Sequence, residues 1–90
     1  MQQFIVCFDL AGKKPSVSEV EHRIDALKAA GTAKLLDRVW LIKSRMSGEQ
    51  IYEHLNSVMG TADRLLVAES PSGTYRDLLT ATPQVRKLWI

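Results

Sequence analysis

Asp9 is the residue around which chemistry in this chain would be organised. It closes the apolar run Phe4-Ile-Val-Cys-Phe-Asp-Leu10, where a buried, unpaired carboxylate would be costly. Its expected position is therefore the C-terminal lip of a strand, partly open to solvent. Two roles are open. The carboxylate could cap the turn between Leu10 and Lys14. It could also be a ligand for a hard cation, since Mg²⁺ takes one or two protein carboxylates plus waters and substrate phosphate. If two copies of the chain stacked, two Asp9 side chains could approach across the two-fold axis and hold one metal that activates water. Lys13 and Lys14 follow on a loop containing Gly12, either to bind a phosphate backbone or as solvated loop residues. Arg38, Lys43 and Arg45 flank a later strand. Arg38 joins the two lysines as a candidate phosphate ligand; edge and turn solvation is the plainer role for all three.

Other residue types offer less. His22 and His54 each fall on an expected helix, with no Cys or His partner at metal spacing, and read as exposed helix residues. Cys7 lies mid-strand and reads as a small core residue. Without a Cys-x-x-Cys pair a zinc site is not expected. Ser44, Ser47 and Ser57 lack a nucleophile motif, and no Gly-rich loop with Lys and Ser or Thr is present to cradle phosphate. Trp40 and Trp89 are expected to pack in the core or at a seam between copies rather than stack on bases.

The elements that must position Asp9 belong to one domain of 90 residues. A hydrophobic fraction of 46% supports a core, and 24% charged residues is ordinary for a globular chain, which excludes a disordered or collagen-like polymer. One cysteine excludes an internal disulfide, so a cytoplasmic setting is expected. No apolar run approaches the roughly 18–20 residues of a membrane span. The first residues lack the basic leader and small-residue cleavage site of a signal peptide. The net charge is +2, unevenly spread: eight basic and four acidic residues lie between Lys13 and Arg45. Such a segment could form a phosphate-facing surface or a solvated mixed-charge one.

The punctuation of the chain is regular. Residues 4–10 read as a strand closed by Ala11-Gly12. Ser16-Val-Ser-Glu19 is a capping box, and Val17, Val20, Ile24 and Leu27 recur on one stripe, so a helix is expected over about 17–30 with Gly31 as its left-handed stop. Thr32 to Leu36 reads as a short strand, Asp37 as a tight turn and Arg38–Lys43 as a longer strand. Ser47-Gly-Glu-Gln50 is a second capping box, opening a helix on Ile51, Leu55 and Val58 that Gly60 ends. Asp63–Ala68 is another strand. The order strand, helix, strand, strand, helix, strand is the split βαβ pattern of the ferredoxin-like sandwich, an α+β fold over residues 1–70. Residues 71–90 remain as an apolar C-terminal tail.

Two helices cover only one face of such a sheet, and a wet second face should alternate apolar with polar. These strands do not. Phe4, Val6 and Phe8 oppose Ile5 and Cys7; Val39 and Leu41 oppose Trp40 and Ile42; Leu65 and Val67 oppose Leu66 and Ala68. The second face needs a cover. The tail could supply it, or a second copy could stack sheet on sheet; a homodimer is the favoured expectation, with the tail pairing an edge strand of its partner.

The run from Phe4 to Leu10, with its aromatic–Asp–aliphatic ending, resembles the first strand of the small CRISPR-associated adaptation proteins of ferredoxin-like fold. Leu36-Asp-Arg-Val-Trp-Leu-Ile-Lys-Ser44 with Gly48-Glu-Gln-Ile51 resembles a bacterial offshoot called SinR-like, and Asp63-Arg-Leu-Leu-Val-Ala-Glu69 is similar to that group's last core strand. Virulence-associated protein D, a toxin-type ribonuclease, is a relative of similar shape. The resemblance spans roughly residues 3 to 70 on short hydrophobic motifs. It implies a dimer that is either a metal-dependent nuclease on RNA or double-stranded DNA, with Mg or Mn, or a non-catalytic scaffold. The metal-binding aspartate of the family falls on Asp9. The arginine-rich segment that follows it there is thin here: Lys13, Lys14, then Arg23. A small-molecule-sensing module is a third class, because this fold often dimerises around ligands.

Overall fold

The computed structural model describes residues 1–90. The elements follow the order β1 (Gln2–Asp9), α1 (Val17–Ala26), β2 (Gly31–Leu36), β3 (Val39–Ser44), α2 (Gly48–Asn56), β4 (Arg64–Glu69) and α3 (Thr82–Leu88). The four strands form one antiparallel sheet in the order β2-β3-β1-β4. This is the ferredoxin-like topology with an added C-terminal helix. β1 and β3 are the central strands.

Both capping boxes form as read. Ser16 Oγ accepts from the Glu19 amide at 3.1 Å, and Ser47 Oγ accepts from the Gln50 amide at 3.1 Å. The side chains of Glu19 and Gln50 reach back to the amides of Ser16 and Ser47. Helix ends differ from expectation. α1 stops at Ala26, and the left-handed residue after it is Lys28, at φ 50°, not Gly31. Gly31 instead opens β2, where an added Cβ would collide with the Leu88 side chain from α3. α2 ends at Asn56 rather than at Gly60. β4 starts one residue late, at Arg64, because the Asp63 side chain is engaged in a turn.

Two cores sandwich the sheet. On one face Phe4, Val6, Phe8 and Ile42 pack against Val20 and Ile24 of α1 and Ile51 and Leu55 of α2. Arg23 ties the helices together: its Nε donates to the His54 carbonyl at 3.2 Å and its guanidinium to Ser57 Oγ at 3.0 Å. On the other face Ala33, Leu35 and Leu41 pack against Val85 of α3, with Tyr75, Leu78, Leu88 and Trp89 around them. Tyr75 and Trp89 stack at 5.7 Å, and the Trp89 indole N–H donates to the Ser70 carbonyl at 2.8 Å.

The tail thus covers the β2–β3 half of the second face from within the chain. The strip formed by Cys7, Leu66 and Ala68 on β1 and β4 lies outside that cluster, and Leu66 is 56% exposed. Leu41→Ala should therefore destabilise the protein by about 2–5 kcal/mol. Leu66→Ala, on the same face, should stay within about 0.5 kcal/mol of the parent when both are dilute enough to be monomeric. Urea denaturation of both variants checks this; equal costs would mean that the tail does not divide the face in this way.

Candidate functional site around Asp9

Asp9 is the last residue of β1 and points to the same side of the sheet as Ile5 and Cys7. It does not cap the Leu10–Lys14 turn. It sits opposite Arg64 of β4 in register, and its Oδ2 lies 3.6 Å from the Arg64 guanidinium. Both side chains are mostly exposed, at 64% and 84%, so this pair contributes at most about 1 kcal/mol.

The turn function belongs to Asp63, which the sequence pattern had placed in a strand. Its Oδ1 accepts the Ala11 amide at 2.8 Å, and its Oδ2 accepts the Gly60 amide at 2.7 Å. One carboxylate thereby clamps the loop after β1 to the loop before β4. The Ala11 and then the Gly60 N–H hold its carboxyl below the ordinary value of 3.8, against a smaller opposing effect of burial. Asp63 is a positioning residue for the Asp9 loop. The local spacing Gly60-Thr-Ala-Asp63 is a turn signal for half of this clamp; the Ala11 contact has no local signal.

Arg38 is brought close by backbone pairing. The Phe8 amide donates to the Arg38 carbonyl at 3.2 Å, which fixes the β2–β3 turn beside the end of β1. Asp9, Arg38, Asp37, Leu36, Asp77 and Leu79 line one open hollow of about 490 Å³. The tail supplies Asp77 and Leu79, so the segment that covers the second face also forms one wall of this hollow. Lys13 and Lys14 are exposed on the neighbouring loop but do not line it. Of the four candidates, two share a cavity and two lie outside its lining.

As a metal centre the site is incomplete within one chain. No three His, Cys, Asp or Glu side chains converge anywhere in the chain. Asp9 is one hard oxygen donor group of the type Mg²⁺ accepts, and a second carboxylate would have to come from another copy. Cys7, on the same side, is half-buried, and burial pushes its thiol above the ordinary 9.0, which keeps it protonated and weakly nucleophilic. His22 is exposed as read, whereas His54 is half-buried, with no hydrogen-bond partner for its Nε2. No helix is long and apolar enough to cross a membrane.

The clamp has a pH signature. A carboxyl depressed in the folded state contributes stability above its unfolded pKa and loses it as pH falls through the folded value. The melting-temperature gap between the parent and Asp63→Ala should be constant above about pH 5. It should shrink below the ordinary value of 3.8. Amide exchange at Ala11 and Gly60 should quicken in the variant at neutral pH. A gap that widens on acidification would show that Asp63 is not held as an ionised clamp. Comparison of the chain with protein-family models, with curated proteins and with solved structures gave no match.

Proposed function

We propose that this chain acts on nucleic acid as a homodimer, with Asp9 of each copy facing a shared phosphodiester site. The observation that carries the reading is the placement of Asp9. It is an exposed carboxylate at the end of a central strand, in one hollow with Arg38, on the side of the sheet that the tail leaves partly open. A second copy seated on the Cys7–Leu66–Ala68 strip would bring two such carboxylates toward one axis. Lys13, Lys14 and Arg38 would hold phosphates by charge, and all three are exposed. The resemblance of residues 4–10 to the first strand of the CRISPR-associated adaptation proteins points the same way.

The two Asp9 carboxylates would be the protein ligands of a Mg²⁺ or Mn²⁺ ion. When bound, such an ion supplies a nucleophilic water and neutralises charge on the phosphate. The chain's own residues do the rest: the basic loop and Arg38 orient the backbone, and the Asp63 clamp fixes the loop that carries the lysines. Arg64 lies 3.6 Å from Oδ2 alone, which leaves Oδ1 of Asp9 free to meet such an ion. A cytoplasmic location accords with the single reduced cysteine.

One observation favours a second reading. Asp9 already has a cationic partner, and one chain offers no further converging ligand. A non-catalytic dimeric scaffold that binds nucleic acid or a protein would need the basic surface alone.

The test is cleavage of single- and double-stranded RNA and DNA with Mg²⁺, Mn²⁺ or EDTA, comparing the parent with Asp9→Ala. We expect metal-dependent cutting by the parent and none by the variant, with melting temperature and dimer mass unchanged. Cutting that survives in Asp9→Ala would overturn the assignment. No cutting by either, with binding that weakens as salt rises and drops in Lys13→Ala/Lys14→Ala, would establish the scaffold reading.

A further inference from the structure

The two edges of the sheet are treated differently. The β2 edge is closed by the chain itself. The Leu79 amide donates to the Leu35 carbonyl at 3.0 Å, and the Thr80 hydroxyl donates to the Lys34 carbonyl at 2.8 Å. A register shift between Lys34 and Leu36 also breaks the regularity of that strand. These are the usual defences of an exposed edge.

The β4 edge has none of them. It pairs with β1 on one side and with nothing on the other. Its centre, Leu65-Leu-Val-Ala68, carries no charge, proline or bulge. The Ser70 amide donates to the Gln3 carbonyl at 2.8 Å, which sets the alternation of the ladder. Residues 64, 66 and 68 bond inward to β1, so the N–H and C=O groups of Leu65, Val67 and Glu69 face outward. Beside this edge, between β4 and α2, lies the largest hollow of the molecule, about 820 Å³. Phe4, Val67 and Tyr52 form its apolar floor and wall; Glu49, Glu53 and Glu69 ring it, and no basic residue lines it.

We propose that the β4 edge is a docking site for an extended segment of a partner protein, added as a fifth strand, with Lys or Arg at alternate positions over the groove. Backbone pairing with Leu65, Val67 and Glu69 supplies affinity, and the three glutamates select the charge. A second copy fits this edge poorly. Antiparallel pairing of β4 with its own copy, about an axis normal to the sheet, sets the two α2 helices side by side across the seam. Glu49, Glu53 and Glu69 of both copies would then face one another, and like charges so placed repel. The groove lies on the α2 face, whereas the Cys7–Leu66–Ala68 strip lies on the opposite face of the sheet, so the proposal does not depend on the nuclease reading.

The probe is a fluorescent peptide of alternating Lys and Val, with a Glu–Val peptide as charge control. A third peptide is the Lys–Val sequence N-methylated on alternate amides, which removes edge-directed donors. We expect the Lys–Val peptide to bind the parent and slow amide exchange at Leu65, Val67 and Glu69. Binding should weaken at least about tenfold on N-methylation, and by a similar factor in Glu49→Lys/Glu53→Lys, whose exposed positions spare the fold. Equal binding of the N-methylated or Glu–Val peptide would overturn the proposal. So would absence of binding, or protection of the same three amides by self-association without any peptide.

Discussion

A central strand that is apolar on both sides governs this molecule. β1 sends Phe4, Val6 and Phe8 into one core and Ile5 and Cys7 toward the other face, and it lies between β3 and β4. Burying one large aliphatic or aromatic side chain is worth roughly 1.5–3 kcal/mol, so neither face can be left to water without a large loss. α1 and α2 answer this demand on one side. On the other, twenty residues of tail are ordered against entropy, and the cover they provide must outweigh that cost. Val85 and Leu88 do so through contact with Ala33, Leu35 and Leu41, and Trp89 adds its stack on Tyr75 and its hydrogen bond to Ser70.

The cover is one-sided, and the functional geometry follows from that. The tail runs over β2 and β3, seals the β2 edge with Leu79 and Thr80, and stops short of β4. The Asp9–Arg64 pair, the Cys7–Leu66–Ala68 strip and the unpaired edge of β4 are therefore left on the β1–β4 side. The tail also lends Asp77 and Leu79 to the hollow around Asp9. A segment that began as a solution to apolar exposure thus shapes the approach to the candidate site.

Charge differs between the two faces of the sheet. Around Asp9 the surface is of mixed charge: Arg38 and Arg64 stand beside Asp9, Asp37 and Asp77. On the other face, between α2 and β4, Glu49, Glu53 and Glu69 make the groove acidic. The excess of basic residues between Lys13 and Arg45 and the acidic groove formed by later residues express one uneven charge distribution. Neither region is held by strong buried ion pairs, so both can exchange partners. The Asp63 carboxylate, satisfied by two backbone amides, joins the loops at Ala11 and Gly60.

Element order, both capping boxes and the double-sided sheet were legible in the sequence because each rests on residues a few positions apart. Ser16 with Glu19 and Ser47 with Gln50 are local contacts, and strand alternation has a period of two. The position of Asp9 at a strand lip was legible for the same reason: an apolar run must end where a carboxylate meets water. What the chain alone could not decide were contacts between distant segments. Whether the tail or a second copy covers the second face depends on where Val85, Leu88 and Trp89 arrive after the sheet has formed. Asp63 meets Ala11 across 52 positions of sequence, and Asp9 meets Arg64 only through strand register. Spacing along a chain specifies local hydrogen bonds and periodic faces; which edge is sealed, and which carboxylate is clamped rather than free, is set by tertiary packing.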